Sequence, residues 1–546
     1  MKIVIIGAVA AGTSAAAKAR RNNEDAEIVM YEKDSFVSYS ACGMPYYLGG
    51  TVESADELTP RDPAFFHRKY NVTIKILHKV LAIHPETKTL IVKNLLTGEV
   101  FSDIYDTLVI ATGAKPVIPP IKGAEHKHVY ALRTIGDMNR IKAYLDENAP
   151  KSAAIIGTGF IGLEVCENLN KIGLEVTLIE RLPQVMPGLD SDMAVHVKSE
   201  IQKNGVSVFL NAIVTEITES GIILAGGEQI NADLVLISAG VQPNTELAFS
   251  AGVRLGITGA IQVNTKMQTN IDNIYACGDC TEQYHLVTGK PVYRPLGSTA
   301  NKTGRIAGDS ITGGSLEFRG ILGTGIFQIF DLTVAQTGLT EREAVEQGFN
   351  VQVCHNIKPD RPEYMGGKEM VIKGIADKNS GRLLGVQIVG HGGVDKRMDV
   401  FVTAITFGAK VEDLFHLDLA YAPPFSTTKD PVMYTGMILD NAISKGRKLM
   451  TADELDALMR SGEKYNLIDV RASEQFNKKH MDTAQNIPHA ALRNAVDTMD
   501  KNTVTVTYCN KGVTGNAAQN ILLNNGFRKV FNVSGGQKQY NAQNKE

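Results

Sequence analysis

One local pattern occurs twice in this sequence, and the repetition limits what the chain can fold into. Lys2-Ile-Val-Ile-Ile-Gly7 reads as a buried parallel strand running into a tight turn. Ala15 to Arg21 reads as the following helix, and Ala26 to Glu32 as the next strand. Ser152-Ala-Ala-Ile-Ile-Gly157, a helix to Ile172, and Glu175-Val-Thr-Leu-Ile-Glu180 repeat the order. Short apolar runs closed by glycine suit strands covered on both faces, so each set predicts a βαβ unit of an α/β fold.

The glycines say what these units hold. In Gly157-Thr-Gly159-Phe160-Ile161-Gly162, the first glycine makes the turn. The second lets backbone N–H groups approach a pyrophosphate, and the third allows close helix–strand packing. The helix N-terminus favours the phosphate charge. Glu180 ends the next strand, where a carboxylate bonds a ribose 2′-hydroxyl; this favours NADH. Arg181 beside it could receive a 2′-phosphate, which keeps NADPH open. Gly7-Ala-Val9-Ala10-Ala-Gly12 keeps the outer glycines only, with Glu32 and Lys33 at the ribose distance. Thr107-Leu-Val-Ile-Ala111-Thr112-Gly113 and Leu234-Val-Leu-Ile-Ser-Ala-Gly240 look like crossings between the two nucleotide folds.

Composition sets outer bounds. The 546 residues suffice for three or four domains. A formal net charge of −3 gives no reason to expect a nucleic-acid or membrane-surface binder. Ile3 to Ile6 is too short for a signal-peptide core, and no apolar stretch approaches the roughly 20 residues of a membrane span. Six cysteines in such a chain make no disulfide framework, so a reducing cytoplasm is expected. Cys277-Gly-Asp-Cys280 spells C-x-x-C, but no second pair exists to complete a zinc site, and no metal is expected. Cys166 and Cys354 lie in apolar surroundings and read as core.

Ala111-Thr112-Gly113 and Ala276-Cys-Gly278-Asp279 resemble the flavin motifs of the pyridine nucleotide–disulfide oxidoreductase family over residues 1 to about 446. The resemblance implies FAD at the first glycine turn and Asp279 on its ribityl chain. In Ser38-Tyr-Ser-Ala41-Cys42-Gly-Met-Pro-Tyr46-Tyr47 many members carry two cysteines; this chain has Cys42 alone. Its redox cycle then needs a mixed disulfide, a persulfide or a sulfenic acid. For thiolate to exist at neutral pH, flavin and dipoles nearby would need to lower the Cys42 pKa.

The Cys42 segment most resembles coenzyme A-disulfide reductases and their persulfide-reducing relatives, which implies coenzyme A as a further ligand. Ser14, Lys18, Arg21 and Ser38 fall on that group's coenzyme A positions, and Ala41 replaces a frequent Asn. Tyr364 and Tyr421 match tyrosines supplied to the flavin site of a partner subunit, which implies a homodimer with shared active sites. A phenol there could donate a proton to a leaving thiolate.

Past Ser444-Lys-Gly-Arg-Lys448 a new small α/β pattern begins. Asn466-Leu-Ile-Asp-Val470-Arg471 and Tyr508-Cys509-Asn-Lys-Gly-Val-Thr514-Gly515 look like a rhodanese domain, with Thr514-Gly515 where Arg-Ser is frequent. A cysteine in a loop of backbone N–H groups at a helix N-terminus suits a thiolate or persulfide.

The expected organisation is an FAD-binding domain (1–111 and 241–322), an NAD(P)H-binding domain (112–240), an α+β dimerisation domain (323–446), a linker (447–451) and a rhodanese domain (452–546). The expected activity is NAD(P)H-dependent reduction of coenzyme A disulfide, coenzyme A persulfide or polysulfide through Cys42, with Cys509 delivering sulfane sulfur. Two other readings stay open. One is an NADH oxidase or peroxidase that cycles Cys42 through sulfenic acid; Ala10 stands where those relatives carry His. The other is a non-catalytic sulfur carrier or redox sensor.

Overall fold

The computed structural model describes residues 1–544, so the last two residues of the expected C-terminal domain lie outside the described residues. Its contacts divide the chain into two units. The first comprises 1–183 with 206–323, and the second 184–205 with 324–546.

The first unit contains the duplication. One parallel sheet has the order Ile274–Ala276, Thr107–Ile110, Lys2–Ile6, Glu27–Tyr31, Thr73–Lys75. The other runs Ser207–Phe209, Glu175–Ile179, Ser152–Ile156, Leu234–Ile237, Val129–Tyr130, also parallel. A three-stranded antiparallel sheet accompanies each. The helix after the first turn spans Ala10–Asn22 and so starts at the turn itself, earlier than the sequence pattern suggested.

Small residues decide how that helix packs. A Cβ on Gly304 would lie 2.2 Å from the Ala11 carbonyl oxygen, and one on Gly308 2.3 Å from that of Ala15. The helix Gly297–Ser310 therefore meets Ala10–Asn22 almost backbone to backbone. The two proposed crossings sit side by side: Ala114–Pro116 pairs antiparallel with Val241–Pro243. Thr112 Oγ1 donates to the Asn244 carbonyl at 2.7 Å, and Asn244 Nδ2 donates to that of Thr112 at 2.8 Å.

The second unit is built on an antiparallel sheet, Gly325–Ile329, Leu332–Gly338, Leu383–Gly390, Glu369–Asp377, Val351–Pro359. A second, parallel sheet follows, Leu449–Met450, Val530–Val533, Val504–Tyr508, Tyr465–Asp469, Gln485–Asn486. The helix Ser191–Lys203 belongs to this unit although its sequence lies inside the second nucleotide fold. Charge holds it there. Lys373, 1% exposed at its side chain, contacts Asp192 Oδ2 at 2.7 Å, Asp190 Oδ2 at 3.2 Å and Glu341 Oε2 at 2.6 Å. His355 Nε2 meets the same Asp192 oxygen at 2.8 Å.

Candidate active site

Both glycine turns have the geometry that dinucleotides need. Gly7 and Gly157 have φ of 104° and 103°, and a Cβ on either would strike a backbone oxygen, of Ala111 at 2.3 Å and of Ser238 at 2.4 Å. A side chain at either position is excluded on both counts. Gly12 and Gly162 lie against the carbonyls of Gly7 and Gly157. Around Gly113, Gly159, Gly240 and Gly297 a Cβ would meet nothing within 4 Å, which leaves open space along the turns. Neither following helix has a side-chain cap, so its first amides remain available to phosphate oxygens. These features fit two dinucleotides.

The two carboxylates expected at the riboses are fixed largely by backbone. Glu32 accepts from the amides of Ala8 at 2.7 Å and Asp34 at 3.0 Å, and burial raises its pKa. Glu180 accepts from the Thr158 amide at 3.1 Å, its hydroxyl at 2.8 Å and the Leu182 amide at 3.1 Å. Asp279 accepts from Arg133 Nη2 at 2.7 Å. Cys277 and Cys280 are fully buried, and the Cys280 thiol donates to the Cys277 carbonyl at 3.2 Å, as a core thiol does.

Cys42 occupies a single 3₁₀ turn, Ala41–Gly43, ahead of the short helix Met44–Leu48. That helix packs on Phe160–Lys171, the helix of the second glycine turn; a Cβ on Gly49 would lie 2.2 Å from Asn168 Oδ1. The contact brings together groups that no motif links. The Tyr46 hydroxyl donates to Glu164 Oε1 at 3.4 Å. Cys42 itself is exposed. Desolvation of its thiol nevertheless raises the pKa, the Glu164 and Asp279 charges add to the rise, and Arg133 opposes it. The protein's own groups favour the thiol. Any stabilisation of the thiolate must come from what binds beside it.

Glu164 sits close to its own titration. Burial, with help from Glu167 and against the Tyr46 hydrogen bond, pushes its carboxyl up to about 7. Ionised Glu164 disfavours the Cys42 thiolate, so Glu164→Gln should move the midpoint of Cys42 alkylation by iodoacetamide to lower pH. An unchanged midpoint would remove Glu164 from the site.

Of the proposed coenzyme A residues, Ser14, Lys18 and Arg21 lie on the helix Ala10–Asn22. Ser14 Oγ donates to Asn301 Oδ1 at 2.7 Å, and Lys18 pairs with Asp309 at 3.0 Å. The Arg21 guanidinium lies 5.7 Å from the Tyr70 ring centroid. Ser38, at φ 50°, accepts from Arg61 Nη1 at 3.4 Å, and Arg61 and Lys69 both stand over the Phe65 ring. Sequence reasoning missed Arg61, Lys69, Arg133, Glu164 and Tyr46. The i+2 position after Gly162 was the one available signal for Glu164, and Tyr46 stood in the Cys42 segment; Arg61, Lys69 and Arg133 carry no motif.

Tyr364 and Tyr421, in the second unit, are 76% and 48% exposed. Arg361 Nη1 donates to the Pro424 carbonyl at 3.4 Å and ties their two segments together.

Cys509 ends the strand Val504–Tyr508 and is 6% exposed. Its carbonyl accepts from the Gln537 amide at 2.8 Å, and the helix Val513–Asn524 begins after Gly512, at φ 89°. Arg471 is paired with Asp469 and reaches Asn510 Oδ1 at 3.1 Å. The departure at Gly515 has a steric cause: a Cβ there would lie 2.1 Å from Asn532 Oδ1.

Residues 1–293 match the family profile described as "Pyridine nucleotide-disulphide oxidoreductase", residues 326–431 its dimerisation domain, and residues 451–543 a "Rhodanese-like domain". A relative from Pyrococcus furiosus, named NAD(P)H sulfur oxidoreductase (CoA-dependent), is 38% identical over 80% of this chain and 99% of its own. The solved structure of reduced Bacillus anthracis CoADR-RHD superposes with a TM-score of 0.97 at 38% identity, covering 99% of this chain and 98% of that one. A NAD-dependent persulfide reductase from A. fulgidus gives a TM-score of 0.92 at 36% identity, covering 100% of both chains.

Proposed function

The chain belongs to the pyridine nucleotide-disulphide oxidoreductase family, and from that premise we propose that it reduces the sulfur–sulfur bond of coenzyme A disulfide, coenzyme A persulfide or polysulfide at Cys42. The class is that of an NAD(P)H-dependent flavoprotein oxidoreductase with a C-terminal rhodanese-like domain. When bound, the two cofactors carry an electron pair from the nicotinamide to sulfur.

The observation that carries the reading is a lone, exposed Cys42 with no second cysteine in its segment. Its thiolate attacks the substrate S–S bond, a Cys42 mixed disulfide forms, and the leaving thiolate keeps the bonding electrons. Two further electrons and one proton return Cys42 to thiolate and release a thiol. Glu164, with its carboxyl near 7 and Tyr46 on it, is the group of this chain best placed to exchange that proton. Lys18, Arg21, Arg61 and Lys69 offer cations, with Tyr70 and Phe65 as flat faces, to a phosphorylated adenine nucleotide. The fixed Glu180 carboxylate disfavours a 2′-phosphate, so NADH is the proposed donor.

The exposed Tyr364, Tyr421 and Phe425 support a homodimer in which these rings complete the partner's site. Cys509 is proposed to accept sulfane sulfur. Anaerobic mixing of NADH-reduced protein with each acceptor tests the scheme through flavin absorbance. Reoxidation by coenzyme A disulfide or persulfide should be at least about tenfold faster than by oxygen or peroxide. The reverse order would make the chain an oxidase, and no reoxidation by any acceptor would leave it a carrier or sensor.

A further inference from the structure

Outside its own α/β segment, Cys509 has cationic neighbours that its sequence motif does not contain. The loop 534–536 explains how they come close. The His355 amide donates to Ser534 Oγ at 2.7 Å, and a Cβ on Gly535 would lie 3.0 Å from that of His355. Gly536 leaves so little room that its Cβ would stand 2.3 Å from the Cys509 carbonyl oxygen. The strand Val351–Pro359 of the antiparallel sheet thus backs the loops that form the Cys509 pocket. Lys511, two residues after Cys509, and Lys538 both pair with Glu369 on the neighbouring strand.

Lys358 lies near the end of Val351–Pro359. Its ammonium sits 3.9 Å from the centroid of the Tyr434 ring, and no carboxylate is within ion-pair distance among the described residues. Burial lowers its pKa, the Lys511 and Lys429 charges lower it further, and Cys509 acts in the opposite sense. A partly desolvated ammonium without a carboxylate partner is an unfavourable arrangement that a bound anion relieves. The rhodanese-like loop, meanwhile, has Thr514 where an arginine is frequent.

Resting on the reading of Cys509 as a sulfur-transfer cysteine, we propose that its pocket is composite. Lys358, contributed by the antiparallel-sheet segment, joins Lys511 and Lys429 to seat a small inorganic sulfane-sulfur dianion, polysulfide or thiosulfate, beside the Cys509 thiol. The Cys509 thiolate attacks the donor's sulfane sulfur. A Cys509 S–S bond forms as the donor's S–S bond breaks. The departing dianion, a polysulfide one sulfur shorter or sulfite, keeps the electron pair, and the single negative charge of Cys509 moves to the terminal sulfur of its persulfide. No outside oxidant, reductant or proton is needed.

The test uses the full-length protein with Lys358→Met, Lys358→Arg and Cys509→Ser. Peptide mass spectrometry reads the rate of Cys509 persulfide formation from polysulfide, thiosulfate and coenzyme A persulfide. Lys358→Met should slow loading from the inorganic donors about tenfold while sparing loading from coenzyme A persulfide, with Lys358→Arg restoring most of the rate. The polysulfide and thiosulfate arms tell which dianion is used. A Lys358→Met protein with unchanged loading overturns the composite pocket. Loading from coenzyme A persulfide alone overturns the inorganic donor. If unaltered Cys509 loads from no donor, while Cys42 still reduces coenzyme A disulfide, the sulfur-transfer reading fails and the composite pocket fails with it.

Discussion

Cys42→Ser should reduce turnover with coenzyme A disulfide, coenzyme A persulfide and polysulfide by about four orders of magnitude or more, the scale on which loss of a covalent nucleophile acts. The flavin should remain bound and still bleach with NADH. Cys42 lies in its own 3₁₀ turn, while the glycine turns, Glu32 and Glu180 are fixed by backbone contacts that do not involve it. A hydroxyl in place of the thiol cannot form the mixed disulfide, so electrons enter and have no sulfur to reach. Cys509→Ser should leave coenzyme A disulfide turnover intact, because that substrate carries no sulfane sulfur. Retained turnover in Cys42→Ser would place the chemistry elsewhere. Loss in both variants would merge the two cysteines into one site.

Lys373→Met should destabilise the second unit by about 3–5 kcal/mol, the range for removing one partner of a buried ion pair. The side chain is 1% exposed and shared among Asp190, Asp192 and Glu341, so its loss leaves carboxylates buried without their cation. Lys373→Arg should recover part of this. Burial would raise the Asp192 pKa, but the His355 and Lys373 charges outweigh it and hold the carboxyl well below the usual range. A carboxyl depressed in the folded state contributes stability above its unfolded pKa of about 4, and the contribution is lost as pH falls. Acid should therefore weaken the native second unit, and Lys373→Met should flatten that dependence. Urea unfolding followed by circular dichroism between neutral pH and pH ~3 reads both effects. A variant as stable as the parent would show that water or rearrangement compensates the charge.

The parts of the site legible in the sequence are those whose chemistry is local. A glycine turn, the strand before it and the carboxylate after it lie within one βαβ unit, and their roles follow from φ and close packing. Gly7, Gly157 and Gly12 have no room for a side chain, which is why the spacing could be read. Glu164 and Arg133 were not legible, because each reaches the Cys42 region from an element remote in sequence; Tyr46 lies in the Cys42 segment, but its partner Glu164 does not. Electrostatics depends on distance in space, so no pattern along the chain announces it. The same reason hid the surroundings of Cys42: desolvation and Glu164 raise its pKa, and the motif announces neither.

The helix Ser191–Lys203 shows the division in the fold as well. Its sequence lies within the second nucleotide fold, yet Asp190 and Asp192 join it to Lys373, His355 and Gln387. By itself, then, the sequence determined the two glycine-turn βαβ units, since short-range sterics and periodicity encode them, while the reading of Cys42 and of the rhodanese-like segment came through resemblance. Tertiary structure alone decided which charges face Cys42, which unit takes the helix Ser191–Lys203, and that Lys358 stands near Cys509, because those are meetings of residues far apart in the chain.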